Sequence, residues 1–210
     1  MNLRSITLIN LVGISYIFVS RTAVTIFPEM LAGHTAVFLH GTLSLLFTVA
    51  VLLFYYYFRR DYLREPEETL GKAANLMVTA SAGVSFLYLL YLLDITGLFS
   101  PDPAPFQALF PWVYSLAAVY FFTVFYREGV GKSRSGLKSA LRLAIAGAAI
   151  SALVRTLLVV NYLFRGQFEW LWGYAGRYPL LFFPVQGLVF ISFFYFFFAF
   201  YRLQGSSGSR

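Results

Sequence analysis

Six stretches of the chain run for about twenty residues or more with hardly a charge, long enough for a helix to cross a lipid bilayer. They are Ser5 to Phe27, Thr35 to Phe58, Ala73 to Phe99, Phe106 to Tyr126, Ser139 to Phe164 and Pro179 to Tyr201. Such a helix needs about 20 apolar residues, because the hydrocarbon core is about 30 Å thick and each residue rises about 1.5 Å. None of the stretches has the strict alternation of a barrel strand, and lipid offers no partner to a free backbone amide, so helices are expected throughout. The expected fold is an all-α integral membrane protein: one bundle of six transmembrane helices over residues 1–203, followed by a flexible Gly/Ser tail at 204–210.

Composition points the same way. Hydrophobic residues make up 59% of the chain and charged residues 12%, against about 25% charged in a soluble domain. So few charges cannot shield that much apolar surface from water, and the lipid bilayer is the first expected partner. The opening stretch follows only Arg4 and is too long for the core of a cleaved signal peptide, so it is read as a retained helix.

The basic residues orient the bundle, since cytoplasmic loops retain Lys and Arg. One side collects Arg4, then Arg59, Arg60, Arg64 and Lys72, then Arg127, Lys132, Arg134, Lys138 and Arg142, then Arg202 and Arg210. The other side holds only Arg21, Arg155, Arg165 and Arg177. Both termini are therefore expected in the cytoplasm, with Trp112, Trp170 and Trp172 near the outer interface, in a prokaryotic inner membrane. The basic rim accounts for the net charge of +7, and no nucleic-acid partner is expected.

Self-similarity divides the six helices into three hairpins. The even helices end on Tyr57-Phe58-Arg59, Phe125-Tyr126-Arg127 and Phe200-Tyr201-Arg202. The odd helices carry Gly13, Gly83 and Gly147, each followed at one common spacing by Arg21, Tyr91 and Arg155. Triplication of a helical hairpin explains this pattern; convergence of lipid-facing helices on aromatics and a terminal arginine explains the endings alone. Three two-helix units are similar in outline to the mitochondrial carriers, but the Pro-x-acidic-x-x-basic signature of that family is missing, so no family assignment follows.

Candidate chemistry is sparse. The absence of cysteine removes disulfides, thiolate metal sites and cysteine nucleophiles. His34 and His40 point about 240° apart on one helix and cannot clamp one metal, so neither a metal nor a cofactor is expected. Gly131-Lys132-Ser133 has Tyr126 where a phosphate-binding loop needs its first glycine; it reads as a basic connector.

Ionisable groups within a membrane usually face the bundle interior or a water-filled cavity. Arg21 and Arg155 each lie about 24 Å beyond their helix starts at about 1.5 Å per residue, in the outer third of the membrane. His40, Asp94 and Gln186 reach the same layer. These five residues are expected to line an outward-facing polar cavity, whose two guanidiniums exceed its one carboxylate and leave positive charge free for a carboxylate or phosphate. Ala144, Gly147, Ala148 and Ser151 form one smooth face on the fifth helix, and Arg155 continues it inward. Pro111 and Pro184 can break their helices beside this layer. Alternatively, Arg21 snorkels to the headgroups and Arg155 pairs with Asp94 as an interhelical link.

Three functional classes follow. The first is binding or transport of a small anionic or amphipathic ligand through the outward site. The second is a non-catalytic membrane sensor or a subunit of a membrane-protein partner. The third is an intramembrane enzyme acting on lipid-linked substrates, with His40 as base and Asp94 as its orienter or as an acid.

Overall fold

The computed structural model describes residues 2–27, 29, 33–63, 68–98, 104–128, 135–164 and 179–207. Six long helices account for nearly all of them: α1 (Leu3–Ile26), α2 (His34–Tyr57), α3 (Thr69–Ile95), α4 (Ala104–Glu128), α5 (Ser135–Leu163) and α6 (Pro179–Ser207). No strand occurs among the described residues, and each helix is long and apolar enough to cross a membrane. Six such helices make this a multi-pass membrane protein by composition. Arg64, Lys132, Arg134, Arg165, Arg177, Arg210, Trp170, Trp172, Phe99 and the connector Gly131-Lys132-Ser133 lie outside the described residues.

The helix ends depart from the hydrophobic boundaries for local chemical reasons. α1 begins at Leu3 because the Asn2 side chain accepts the Ser5 backbone N–H at 2.9 Å, an N-cap that apolar patterning does not register. α3 stops at Ile95: Gly97 takes the left-handed conformation (φ 69°), its N–H reaches Asp94 O, and the Leu98 N–H reaches Leu93 O. These are the two bonds of a Schellman cap. α2 widens into one π-helical turn at Phe58–Tyr62. The tail is the largest difference. Its composition reads as linker from residue 204, yet α6 continues through Ser207, with Gly205 beside the Arg4 guanidinium of α1.

Successive helices are neighbours, and α6 closes back onto α1, so the six form a ring. Neighbours run antiparallel, as the pairs Asn10–Ala50, Ser115–Ser151 and Phe18–Phe190 require. All odd helices therefore begin, and all even helices end, on one face of the bundle, called here the terminal face.

Packing differs between the two halves. The buried side chains concentrate in the half nearer the terminal face, where Ile6, Phe54, Phe58, Met77, Phe121, Phe125, Leu141, Phe196 and Phe200 are fully enclosed. One phenylalanine from each even helix meets at the centre: the ring of Phe58 lies 5.1 Å from Phe125 and 5.8 Å from Phe200, and those two are 6.3 Å apart. Such aromatic contacts contribute about 0.5–1.5 kcal/mol each beyond area burial. They matter more here than in water, because lipid is as apolar as the core and association relies on close packing. Outward, Val12, Val19, Leu39, Leu46, Leu153 and Ile191 stand exposed on the perimeter; on a soluble protein this would be a large apolar patch, and in a bilayer it is the lipid-facing surface.

Glycines set the closest helix approaches. A β-carbon on Gly13 would overlap the Phe47 ring, one on Gly83 would stand 3.3 Å from Phe110, and one on Gly147 would stand 2.6 Å from Ser192 Cβ. In each case the neighbour belongs to the even helix that follows in the chain.

Candidate functional site

Beyond the aromatic floor the ring loosens, and a cavity of about 360 Å³ opens among α1, α5 and α6. Helix register determines what enters it. On α1 the buried Leu3, Thr7 and Asn10 share a face that continues, about every turn, through Ile14 and Ile17 to Arg21. On α5 the enclosed Ala144 and Ala148 lead to Ser151 and then to Arg155. On α6 the face runs from Phe193 at depth through Val189 to Val185 and Gln186 at the mouth. All of these from Ile14 upward line the cavity.

Polarity in the cavity is graded with depth. Ile14, Ile150 and Phe193 lie deepest, the walls are Ile17, Val154, Val189 and the stacked pair Phe18–Phe190 (centroids 4.3 Å apart, planes 14° apart), and Arg21, Arg155 and Gln186 stand toward the mouth, with Leu158 and Val185 at its rim. Arg155 is partly buried, while Arg21 and Gln186 are exposed at the opening. Ser151, the hydroxyl on the cavity wall, is also within 3.2 Å of the Ser115 hydroxyl of α4, which itself donates to Pro111 O at 2.8 Å. The Pro111 carbonyl is thus linked through Ser115 to the cavity wall.

Three of the five residues singled out in the sequence, Arg21, Arg155 and Gln186, meet at this cavity. The other two stand elsewhere. His40 lies on the seam between α1 and α2, where its Nδ1 shares a hydrogen bond of 3.0 Å with the Tyr16 hydroxyl; Arg21 is near enough to act on it electrostatically. Asp94 is exposed at the end of α3, does not line the cavity and makes no ion pair among the described residues. The interhelical Arg155–Asp94 pair is therefore not formed. His40 bonds Tyr16 and not Asp94, so Asp94 does not orient the His40 ring. Tyr91, the counterpart of Arg21 and Arg155 in the repeat alignment, packs beside Gly41 of α2 instead of entering the cavity.

Neither arginine at the cavity has a carboxylate partner among the described residues. Arg21 and Arg155 are the two charged side chains that line this cavity. Two like charges facing one apolar-walled space repel, so an anion between them is favoured both by attraction and by relief of that repulsion.

Several contributors are invisible to a search for charged residues. Phe18 and Phe190 of the cavity wall, and Tyr16 beside His40, are aromatic residues in a chain with 24 phenylalanines and 15 tyrosines, and nothing in the sequence distinguishes them. Trp112 donates from Nε1 to Thr156 Oγ1 at 2.9 Å and fixes α4 to α5 next to Arg155. The adjacent Arg155-Thr156 dipeptide was the available signal for that link. His34 donates from Nε2 to Ile95 O at 3.1 Å and joins the start of α2 to the end of α3. No protein-family model, curated protein or solved structure matches this chain.

Proposed function

We propose that this protein binds a small anionic or amphipathic ligand in an outward-opening cavity and passes it across, or senses it at, a prokaryotic inner membrane with both termini cytoplasmic. The observation that carries the reading is the convergence of Arg21, Arg155 and Gln186 on one apolar-walled cavity, with no carboxylate paired to either guanidinium among the described residues. A guanidinium presents a rigid fork of donors suited to carboxylate or phosphate oxygens. The glutamine amide adds donors beside it.

A threefold hairpin repeat is part of this reading. It draws support from the meeting of Phe58, Phe125 and Phe200 and from the contacts of Gly13, Gly83 and Gly147 with their own following helices. Phe125 and Phe200 each stand two residues before Arg127 and Arg202, whereas Phe58 stands one before Arg59, so the first hairpin is one residue out of step with the other two.

Thermal unfolding of the purified protein against organic anions and phosphates tests the reading. A ligand that binds only the folded state raises the transition temperature with concentration. An anion-dependent rise in wild type that disappears in a folded Arg155→Gln variant is the expected result; no rise with any anion would contradict it. A second reading, a non-catalytic sensor or partner subunit, is favoured by the closed aromatic floor, because a cavity sealed at one end suits a receptor without any change of shape. Vesicle uptake of the stabilising anion separates the two.

A further inference from the structure

We propose that the ligand is a single-chain amphiphile with one compact anionic head, held with its head at Arg21 and Arg155 and its chain directed inward toward Phe193. This rests on the anion-site reading and goes beyond it, because it assigns the body of the ligand from the cavity below the arginines.

Three features carry it. First, donors are segregated: the guanidiniums and the Gln186 amide stand toward the mouth, the deepest surface is Ile14, Ile150 and Phe193, and the one hydroxyl at that depth, Ser151, gives its proton to Ser115 of α4, whose own proton goes to Pro111 O. A small hydrophilic anion such as phosphate is bound best when donors surround it, and here they come from one end only. Drawn into the lower part, it would lose hydration with nothing to replace it. Second, the cavity extends from Arg21 down to Ile14, about 10 Å at about 1.5 Å per residue, so an apolar group attached to the head has a surface to cover. Third, the cavity of about 360 Å³ gives room for one medium-length chain below the head.

The floor makes the chain end definable. Phe193 reaches across to Phe122 of α4 at 5.8 Å, and Phe122 to Phe196 at 4.8 Å, so the base of the cavity is continuous with the enclosed aromatic core. A chain can descend to Phe193 and no farther without separating those rings.

Carboxylate and phosphate heads both fit bidentate guanidinium bonding, and the test includes both. Unfolding is followed in lipid nanodiscs, avoiding detergent tails as competitors, with acetate, hexanoate, decanoate, decyl phosphate, inorganic phosphate and decanol, for wild type, Arg155→Gln and Val154→Phe. Partitioning into the bilayer is common to all variants, so differences between them report the site. Stabilisation is expected to grow from acetate through hexanoate to decanoate, by roughly three- to fourfold in affinity per methylene from about 0.8 kcal/mol per buried CH₂. Decyl phosphate is expected to follow decanoate, and decanol to give no shift specific to Arg155. Val154→Phe, which fills the wall, is expected to abolish the decanoate shift. If Arg155→Gln does not fold, Arg21→Gln at the exposed mouth makes the same comparison. An Arg155-dependent shift with acetate or inorganic phosphate equal to that with decanoate would retain the anion site and overturn the amphiphile. A decanol shift equal to decanoate would overturn the anionic head. No shift with any anion would remove both readings.

Discussion

Ser192 lies against the bare Cα of Gly147, and a β-carbon there would meet Ser192 Cβ at 2.6 Å and Oγ at 2.8 Å. Ser192 is itself enclosed and bonded to Leu188 O at 2.7 Å, so it cannot swing aside, and α5 and α6 must part. Gly147→Ala is expected to destabilise by about 1–3 kcal/mol, the range for overpacking a tight contact. Gly187→Ala, on the next helix with nothing within 4 Å, is expected to be neutral or to stabilise by up to about 1 kcal/mol, since alanine is the better helix former. Thermal or denaturant unfolding of the two variants measures the contrast. The same scale shows what patterning reveals about individual side chains. Arg155 was readable as inward because it continues the smooth Ala144–Ser151 face. Asp94 was not: its position along α3 gives a depth, while its direction around the helix depends on neighbours that no local pattern encodes.

Helix number and approximate extent follow from hydrophobic length, whereas the termini depend on single polar or conformational features. Asn2, Gly97 and the contact of Arg4 with α6 each move an end by several residues. Gly97 is the sharpest case, because its φ of 69° is the left-handed conformation that a β-carbon disfavours by about 1–2 kcal/mol. Gly97→Ala is expected to fray the last turn of α3, and faster amide exchange at Gly97 and Leu98, with the core unchanged, is the observation that checks it. On the terminal face, Arg142 gives two hydrogen bonds to the Tyr126 hydroxyl at 3.0 and 2.8 Å and lies over its ring. Tyr126→Phe keeps the ring and removes the acceptor, so a loss of about 0.5–1.5 kcal/mol in unfolding free energy is expected, toward the low end because the pair is exposed. Both tyrosine and arginine were visible in the sequence, though as an anchoring motif and not as a clasp between α4 and α5.

Across the whole molecule the two halves have different tasks. The half near the terminal face is closed by aromatic packing, and the other half spreads around a cavity. That division explains why nearly all charged candidates lay in one layer: the opposite layer has no room for them. Phe125→Ala would leave a void where the rings of Phe58 and Phe200 meet. It is expected to destabilise by less than the about 3–5 kcal/mol typical of soluble cores, since in a membrane the displaced phenyl group has lipid as an alternative; unfolding in nanodiscs checks this. The closed ring and its aromatic seal were not legible beforehand, because an apolar run reads alike whether its residues face lipid or one another. What the run did specify was six spans; the packing of α6 on α1 that closes the ring joins helices that no connection links.

The central claim is that the cavity opens on the face opposite the termini, toward the exterior. Because the chain has no cysteine, one introduced thiol reports it without background. Ser151→Cys places a thiol on the cavity wall, and Ala144→Cys places one on the same face of α5 two turns deeper, where the native side chain is fully enclosed. Intact cells are treated with a membrane-impermeant thiol reagent, after both variants have been shown to unfold like wild type. The account predicts labelling at position 151 from outside, slowed by decanoate, and none at 144. Labelling at 151 only after the membrane is opened, or labelling at 144 as fast as at 151, would contradict it.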